Sequence, residues 1–422
     1  MTLLSDIDFG LNKSSDLPES LKKYSEESMA ALSQTAVPTR KTEAWKYSAK
    51  HLKLPESFSP ATAIATPYQV SYELDCNTIL IANNNAPSYD ADALSQAGIT
   101  IKSLSSLDEK ECELVANSIS NSAEHLLFAK LNAGLMQDGL FINVAKNTQL
   151  GKPLKLVFHS NASGLSQPRV FINVEANAEA TFIEELVIDA EEGAQGLVNS
   201  VCDLRIADNA HVKYLRMNLE STPAKQIGFT GVALYRNANF KSYSLGLGSQ
   251  VGRHDLHVQM LEAGAECDLN GVTVTTGQQH YDNHTCIEHI APNCTSNETY
   301  RCIADNKSHI VFNGRIHIHP DAQKTLGSMN NKNLLLSSSA EIDSKPELEI
   351  YADDVKCAHG TTIGQLDETE LYYLKTRGVT HEQARLMLTL GFVLEVVRAA
   401  PIEAIADFWE QQLAELLSYP LD

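Results

Sequence analysis

A cysteine and a histidine lie two residues apart in the segment Cys357-Ala358-His359-Gly360. If this segment forms a β-strand, both side chains project from the same side of the sheet, because successive strand residues point to opposite faces. A thiolate beside an imidazole suits a soft metal such as iron in a cluster, and it equally suits a nucleophile with its base. Taken alone, however, two such residues are more typical of packing.

Other histidines and cysteines are spaced in ways that metal sites use. On the outside of a sheet, such histidines are more often solvated or hydrogen-bonded side chains than metal ligands. The cysteines are too far apart for a zinc knuckle, which favours small buried residues. The histidine sets are His254 with His257, His317 with His319, and a polar stretch with His280, His284 and His289, and the evenly spaced cysteines are Cys286, Cys294 and Cys302.

Signatures of common catalytic sites are missing from the sequence. It contains no Gly-Lys-Ser or Gly-Lys-Thr of a nucleotide-binding P-loop, no Gly-x-Ser-x-Gly and no His-Glu-x-x-His. We therefore expect that this chain binds no ATP and is not an enzyme.

The charge of the chain is strongly negative. Its 422 residues include 33 Lys and Arg against 53 Asp and Glu, a formal net charge of -20. Such a surface repels nucleic-acid phosphates and anionic lipids, so we expect neither a nucleic acid nor a membrane as partner. The longest apolar stretch, Leu386–Val397, is too short to span a bilayer. The first residues lack the basic and apolar segments of a secretory signal, which predicts a cytoplasmic protein with reduced thiols.

A repeated element begins near Gly151 and consists of a strand, a tight turn that ends in Ala, and another strand. Successive turn alanines lie 32, 28 and 27 residues apart, and Cys294 stands near the middle of the last gap of 57. A period near 28 with two or more strands and no helix per unit is typical of a solenoid, and a parallel β-helix fits it best. An all-β sandwich with coincidental spacing is the alternative. The turns are Asn177-Ala178, Asn209-Ala210, Asn237-Ala238, Gly264-Ala265 and Asp321-Ala322.

Helical patterns flank this region. Before it, residues 16–33 and 111–131 show a helical period, and residues 78–81 and 99–101 are strand-like. After it, we predict helices at 367–377, closed by Gly378, at 381–399 behind a capping box of Thr380 and Gln383, and from Pro401 onward. The three predicted regions are a mixed helical N-terminal region at 1–145, a β-helix core at 146–365, and a helical C-terminal region at 366–422.

Several segments together resemble the SufB/SufD family of the SUF machinery for iron–sulfur cluster assembly. The longest runs from Lys345 to Asp367, KPELEIYADDVKCAHGTTIGQLD, and departs from the usual Ser-His-Gly-Ala version at Ala358 and Thr361. The RKTEAWKY segment at 40–47 and the Cys-x-His-Gly version of the signature are more similar to the SufD branch than to SufB. The remaining matches are AQKT at 322–325, NLLLS at 333–337, LYYLKTRG at 371–378 and GFVLEVV at 391–397.

This resemblance implies a fold and a set of partners. The family fold is a right-handed parallel β-helix flanked by helical regions. A member of the SufD branch is a scaffold without ATPase activity, which pairs with SufB through the β-helix and binds the SufC ATPase through its C-terminal helices. A transient Fe–S cluster or iron is shared with SufB at the interface, and a reduced flavin could be held by the complex. In isolation, such a chain could form a homodimer.

The resemblance also assigns roles to particular residues. The functional histidine of the branch corresponds to His359 and its neighbouring cysteine to Cys357, and both would serve as metal ligands at the interface. Two other interpretations stay open, a stabiliser of SufB with no ligand of its own and a β-helical enzyme acting on carbohydrate. The enzyme needs paired carboxylates on one face, whereas Glu184 and Glu185 are adjacent and would point apart. The expected SufC-docking residues are Leu371, Tyr372, Leu374, Arg377, Phe392 and Glu395.

Overall fold

β-Strands are the main regular secondary structure of this chain. The computed structural model describes residues 3–10, 16–64, 68–83, 86–118, 126–189, 196–219 and 223–418. Within this part the strands, in chain order, are β1 Asn77–Ala82, β2 Ile99–Ser103, β3 Leu140–Val144, β4 Leu154–Ser160, β5 Leu165–Ser166, β6 Arg169–Val174, β7 Glu179–Ile188, β8 Leu197–Ile206, β9 His211–Asn218, β10 Lys225–Leu234, β11 Asn239–Gly246, β12 Val251–Met260, β13 Glu266–Thr275, β14 His280–His289, β15 Thr295–Ala304, β16 His309–Ile318, β17 Thr325–Leu335, β18 Glu341–Ile350 and β19 Val355–Gly364.

The strands build two sheets, and strands that are neighbours in a sheet come from successive turns of the β-helix, which we term rungs. One sheet has nine strands in the order β1-β4-β7-β9-β11-β13-β15-β17-β19. The other has ten strands, of which nine follow the order β18-β16-β14-β12-β10-β8-β6-β3-β2 and the tenth, the short β5, pairs with β8. The pairing is parallel, as where Lys225 of β10 lies opposite both Leu197 and Val251; β2 and β3 pair antiparallel. The predicted fold class, an all-β core in the form of a parallel β-helix with flanking helices, is confirmed.

Tight turns with a left-handed backbone recur at one register of the β-helix. Asn and Gly adopt a positive φ at lower cost than other residues. The side-chain amides also stack, because Asn237 Nδ2 donates to Asn209 Oδ1 at 3.2 Å and Asn209 Nδ2 donates to Asn177 Oδ1 at 3.1 Å. The positions and their φ angles are Asn177 (58°), Asn209 (56°), Asn237 (53°), Gly264 (81°) and Asn293 (61°).

A small side chain follows each of these turn positions and is fully buried. The sequence repeat is thereby confirmed, with Cys294 in the place of an alanine. The fifth predicted turn differs, because its left-handed residue is Lys324 (φ 59°), two residues after Ala322. The buried residues, each 0% exposed, are Ala178, Ala210, Ala238, Ala265, Cys294 and Ala322.

The main core lies between the two sheets. Along β11 the burial alternates as expected for a strand with one inward face, with Phe240 buried between the partly exposed Asn239 and Lys241. Burying a large apolar side chain of this kind contributes about 1.5–3 kcal/mol relative to leaving it exposed. Other large inward residues are Phe158, Phe182, Tyr214 and Phe312.

Helices cover both ends of the chain. None of those in the described residues combines the length and apolar character that a bilayer-spanning helix needs. They are α1 Glu19–Ser33, α2 Ala91–Gln96, α3 Glu109–Ala116, α4 Leu127–Gly134, α5 Glu368–Thr376, α6 His381–Val397 and α7 Glu403–Leu417.

The C-terminal helices pack on the outer face of the nine-stranded sheet. Val393 of α6 and Trp409 of α7 share a buried cluster with Leu215 of β9 and Val274 of β13. The helical face predicted around Trp409 therefore packs within the chain, but it lies against the side of the β-helix and not over its end, where a solenoid cap would lie.

The predicted boundaries of these helices are close to the observed ones. The capping box is present, because the Gln383 amide donates to Thr380 Oγ1 and the Thr380 amide donates to Gln383 Oε1. Gly378 has the positive φ expected after α5, at 89°. Helix α7 begins two residues after Pro401, because Ile402 is still extended (φ -119°, ψ 110°).

The N-terminal region supplies both helices and strands. Helix α1 begins three residues later than predicted, because Pro18 has an extended backbone (φ -55°, ψ 152°). The predicted helix at 111–131 is present as α3 and α4, and residues 119–125 between them lie outside the described part. Strands β1 and β3 pair with β4 and β6, so the hydrogen bonding of the β-helix crosses the predicted boundary at residue 146.

Candidate functional site

The C-terminal end of the β-helix is an open edge. β18 ends the ten-stranded sheet beside β16, and β19 ends the nine-stranded sheet beside β17. On their other side, neither of them pairs with a strand of the described residues. Backbone N–H and C=O groups along that side are therefore able to pair with a further strand.

Cys357 and His359 lie on β19 and project to the same side. In the parallel register, Cys357 is opposite Gly327 and His359 is opposite Met329 of β17. Gly327 and Met329 are buried residues of the inward face, so Cys357 and His359 face inward at the last rung. Because no further rung covers them, Cys357 is half-buried and His359 is exposed.

The Cys357 side chain packs against the main core. A β-carbon added at Gly327 would lie 3.3 Å from Cys357 Sγ, so the glycine leaves room for the sulfur. Burial raises the pKa of the Cys357 thiol, and a backbone hydrogen bond from Gly327 opposes this shift. The thiol is therefore protonated at neutral pH, and a bound metal ion would favour the thiolate.

Polar side chains connect the last two strands. Ser344 Oγ of β18 donates to Asn331 Oδ1 at 2.8 Å, and it lies 2.8 Å from Thr361 Oγ1 of β19. Asn333 of β17, the strand that also contains Asn331, donates from Nδ2 to the carbonyl of Thr362 of β19 at 2.9 Å. These bonds hold β18 and β19 in a fixed relation at the open edge, and Thr361, where the sequence departs from the family signature, takes part in them.

The predicted docking residues on α5 and α6 divide into two sets. Leu371 is 3% exposed, and two others are half-buried, so these three pack within the chain. The half-buried residues are Leu374 and Phe392, and the exposed ones are Tyr372, Arg377 and Glu395.

Besides the predicted Tyr372, the exposed surface of α5 and α6 contains two large side chains that were not predicted from the sequence, Tyr373 and Met387. Tyr372, Tyr373 and Met387 are 68%, 56% and 54% exposed. Arg377 Nη2 donates to Tyr373 Oη at 3.0 Å. The available signal was the presence of large apolar side chains on the polar side of two amphipathic helices, which is typical of a protein-binding surface.

Five side chains on the outer face of the ten-stranded sheet form a set of metal-type ligands, which we term the outer-face array. Glu288 of β14 lies in register with His317 of β16, and Cys286 lies in register with His257 of β12. Glu288 Oε2 is 3.7 Å from His257 Nε2, and Glu288 Oε1 is 3.8 Å from His317 Nδ1. The array consists of His257, Cys286, Glu288, His317 and His319.

Electrostatic contacts within the outer-face array shift its protonation. The neighbouring imidazole of His257 lowers the pKa of Glu288 to about 2. Burial alone would lower the pKa of His257, but Cys286 and Glu288 together raise it to about 10. Potential ligand atoms lie within 4.8 Å of one another in two groups that share Glu288. Imidazole, thiol and carboxylate ligands suit iron or zinc.

The structure brings some of the predicted histidines and cysteines together and separates others. His317 and His319 lie face to face, with ring centroids 4.3 Å apart. His254 lies on the opposite face from His257 and is 3.0 Å from Thr230 Oγ1, so these two do not form a pair. Cys294 and Cys302 are fully buried, as expected for packing residues.

The N-terminal RKTEAWKY segment covers part of the same sheet face. Trp45 is buried, and the Arg253 guanidinium lies 4.1 Å from the centre of its ring. Arg253 also donates to the Ala44 carbonyl at 2.7 Å and pairs with Asp282 at 2.9 Å. A cavity of about 520 Å³ opens beside this contact and reaches Cys286.

Comparison with known proteins agrees with this architecture. Residues 157–392 match the family described as "SUF system FeS cluster assembly, SufBD core domain", and residues 12–156 match "SufBD protein N-terminal region". The iron-sulfur cluster assembly protein SufD of Escherichia coli is 28% identical over 90% of this chain and 89% of its own length. A SufBD family protein of Synechocystis is 30% identical over 73% of this chain and 70% of its own, and protein ABCI7, chloroplastic, of Arabidopsis thaliana is 28% identical over 93% and 85%. The chain thus belongs to the SufB/SufD family of iron–sulfur cluster assembly proteins of the SUF system.

Proposed function

We propose that this chain is the scaffold subunit without ATPase activity of a SufBCD-type complex. The observation that carries the proposal is the open edge at β18 and β19, with Cys357 and His359 on its last rung. An edge strand gives affinity through backbone hydrogen bonds and gives specificity through side chains. A SufB subunit that continues the β-helix at this edge would add its own ligands to this thiol and imidazole.

The cargo at this edge is iron or a nascent Fe–S cluster. A partly buried thiol and an exposed imidazole provide two ligands, whereas clusters commonly use four. The site is therefore incomplete without the partner. A reduced flavin would belong to the complex, and in isolation two copies of this chain could pair through the same edge as a homodimer.

The ATPase SufC would dock on the exposed surface of α5 and α6. Tyr372, Tyr373 and Met387 supply large apolar contacts there, and Arg377 and Glu395 supply charges at its margin. ATP would be bound and hydrolysed by SufC, and its movement would reach the β-helix through α6, whose Val393 packs against the nine-stranded sheet. A cytoplasmic location would keep the thiols reduced and ready for iron.

The carbohydrate-active alternative finds no support in the paired carboxylates. Glu184 is 2.9 Å from Arg216, and Glu185 is 3.6 Å from Lys155 on the other face of the strand. Both carboxylates are at most 3% exposed. Neither is free to act on a sugar.

The test of the proposed function is His359→Ala in the intact complex with SufB and SufC, followed by anaerobic reconstitution with iron and sulfide. We expect the complex to form and cluster yield to fall strongly, because His359 is exposed and does not support the fold. His211→Ala, a substitution of an exposed histidine on β9, is the matched control. An unchanged cluster yield would refute the ligand role and leave the stabiliser interpretation.

A further inference from the structure

A second group of histidines lies on the outer face of the ten-stranded sheet, away from Cys357 and His359. His280 begins β14 and is in register with His309, which begins β16. His51 lies just after the RKTEAWKY sequence, in residues 40–51, which we term the N-terminal segment. Its ring stacks on that of His280, with ring centroids 4.1 Å apart. Three imidazoles from distant parts of the chain thus meet where the N-terminal segment contacts the β-helix.

The Nδ1 atoms of His280 and His309 face one another, whereas the ring of His51 is stacked on the ring of His280. His280 Nδ1 is 3.1 Å from His309 Nδ1. His309 Nε2 is 2.8 Å from Asp343 Oδ2. Because a carboxylate accepts hydrogen bonds, the N–H of His309 is on Nε2. The lone pair of His309 is therefore on Nδ1 and points toward His280. One nitrogen from each of His51, His280 and His309 lies within 4.8 Å of the others.

Two buried nitrogens in this group lack hydrogen-bond partners. Within the described residues, Nε2 of His51 and Nε2 of His280 have no partner in the protein. His280 is only 1% exposed. Such a buried polar atom costs free energy unless a ligand or a water satisfies it. An ion could satisfy Nε2 of His51, whereas Nε2 of His280 would need a water, because Nδ1 is the His280 nitrogen that faces His309.

The charged groups around the cluster would partly offset a bound cation. They are Lys50, Lys53, Asp282, Glu341 and Asp343, and three of the five are acidic.

We infer that His51, His280 and His309 bind one divalent metal ion of the zinc class, which fastens the N-terminal segment to the outer face of the β-helix. At Zn–N distances of about 2.0–2.1 Å, nitrogens 3.1 Å apart subtend an angle of about 98° at the ion, near the tetrahedral value. Asp343 orients His309 as outer carboxylates orient metal-bound histidines. Because His51 is stacked on His280, its ring would rotate to bring Nε2 to the ion, and Glu341 or a water would complete the coordination.

This site differs in chemistry from the outer-face array, and that difference makes it testable. The inferred site uses imidazole nitrogen alone, whereas the array includes the thiol of Cys286. Cobalt(II) is a spectroscopic substitute for zinc, and thiolate ligands give it an intense near-ultraviolet charge-transfer band that imidazole ligands do not.

The experiment titrates the full-length, tag-free chain, freed of metal by chelation, with zinc chloride and with cobalt chloride. We expect one equivalent of tight binding and a tetrahedral cobalt spectrum without a thiolate band. His280→Ala and His51→Ala should each abolish this binding, and Asp343→Asn should weaken it about 10- to 100-fold. Cys286→Ser and His211→Ala should leave it unchanged.

A second measurement checks the role of the ion as a fastener. Zinc should slow proteolysis of the N-terminal segment in the unaltered chain, and His51→Ala should lose this protection. Because His51 lies outside the β-helix, this substitution should leave the fold intact. The inference is overturned if the chain binds no zinc, if binding survives in His51→Ala, or if the cobalt band is of the thiolate type and disappears with Cys286→Ser.

Discussion

Two neighbouring residues of α5 allow docking to be separated from folding. Tyr372 is 68% exposed and Leu371 is 3% exposed, although both were expected to contact SufC. Replacing an exposed side chain away from special features changes stability by at most about 0.5 kcal/mol. Truncating a buried leucine to alanine costs about 2–5 kcal/mol. Tyr372→Ala should therefore leave the free energy of unfolding unchanged, and Leu371→Ala should destabilise the packing of the C-terminal helices.

The effect on binding should have the opposite order. An aromatic residue central to an interface contributes about 2 kcal/mol or more, so Tyr372→Ala should weaken SufC binding about 30-fold. Calorimetric titration of SufC into each variant, together with urea unfolding of the same preparations, measures both quantities. The exposed Glu403→Ala on α7 is a suitable control. Unchanged SufC affinity in Tyr372→Ala would refute the assignment of this surface to docking.

Three further predictions concern the β-helix itself. Asn237→Ala should destabilise the β-helix by about 1–2 kcal/mol in urea unfolding, because alanine disfavours the positive φ of 53°. Asn237→Gly should destabilise it less, and equal losses of stability in the two variants would contradict a cost that arises from the positive φ. Arg216→Met should lower the free energy of unfolding by about 3–5 kcal/mol, since it leaves the buried Glu184 carboxylate without its ion-pair partner. In a double-mutant cycle, adding Glu184→Gln should restore part of the lost stability, and a double variant as unstable as Arg216→Met would contradict the role of this ion pair. Burial raises the pKa of Glu298 from 4.5 to about 7, so its acid form stabilises the fold fully below pH 4.5 and this contribution is lost as the pH rises through 7. Glu298→Gln should flatten the dependence of stability on pH and raise the urea midpoint at pH 8. Parallel plots of urea midpoint against pH for the unaltered chain and the variant would contradict this role of Glu298.

The features that could be predicted from the sequence are those set by local backbone chemistry. The Asn-Ala turns signalled their register because a left-handed turn position and a small buried residue recur together at each rung. The capping box at Thr380 and the glycine at 378 signalled helix ends for the same reason. The same-side placement of Cys357 and His359 followed from the alternation of strand residues alone.

The features that could not be predicted depend on register between distant segments. Cys286 and His257 are 29 residues apart, and they meet because β12 and β14 pair in one particular register. His51 reaches His280 through the path of the N-terminal segment, which no periodicity encodes. The burial of Leu371 depends on how α5 packs against its neighbours, so its exposure could not be read from helical spacing.

The rung-by-rung pairing of the strands has a consequence for the order in which the protein folds. Each strand uses a neighbour synthesised about one rung earlier, so the β-helix can grow in step with its emergence from the ribosome. β19 comes last, and its pairing surface on β17 is in place before it. The edge that holds Cys357 and His359 is therefore completed only after the earlier rungs exist, and a chain that stops before residue 355 cannot present it.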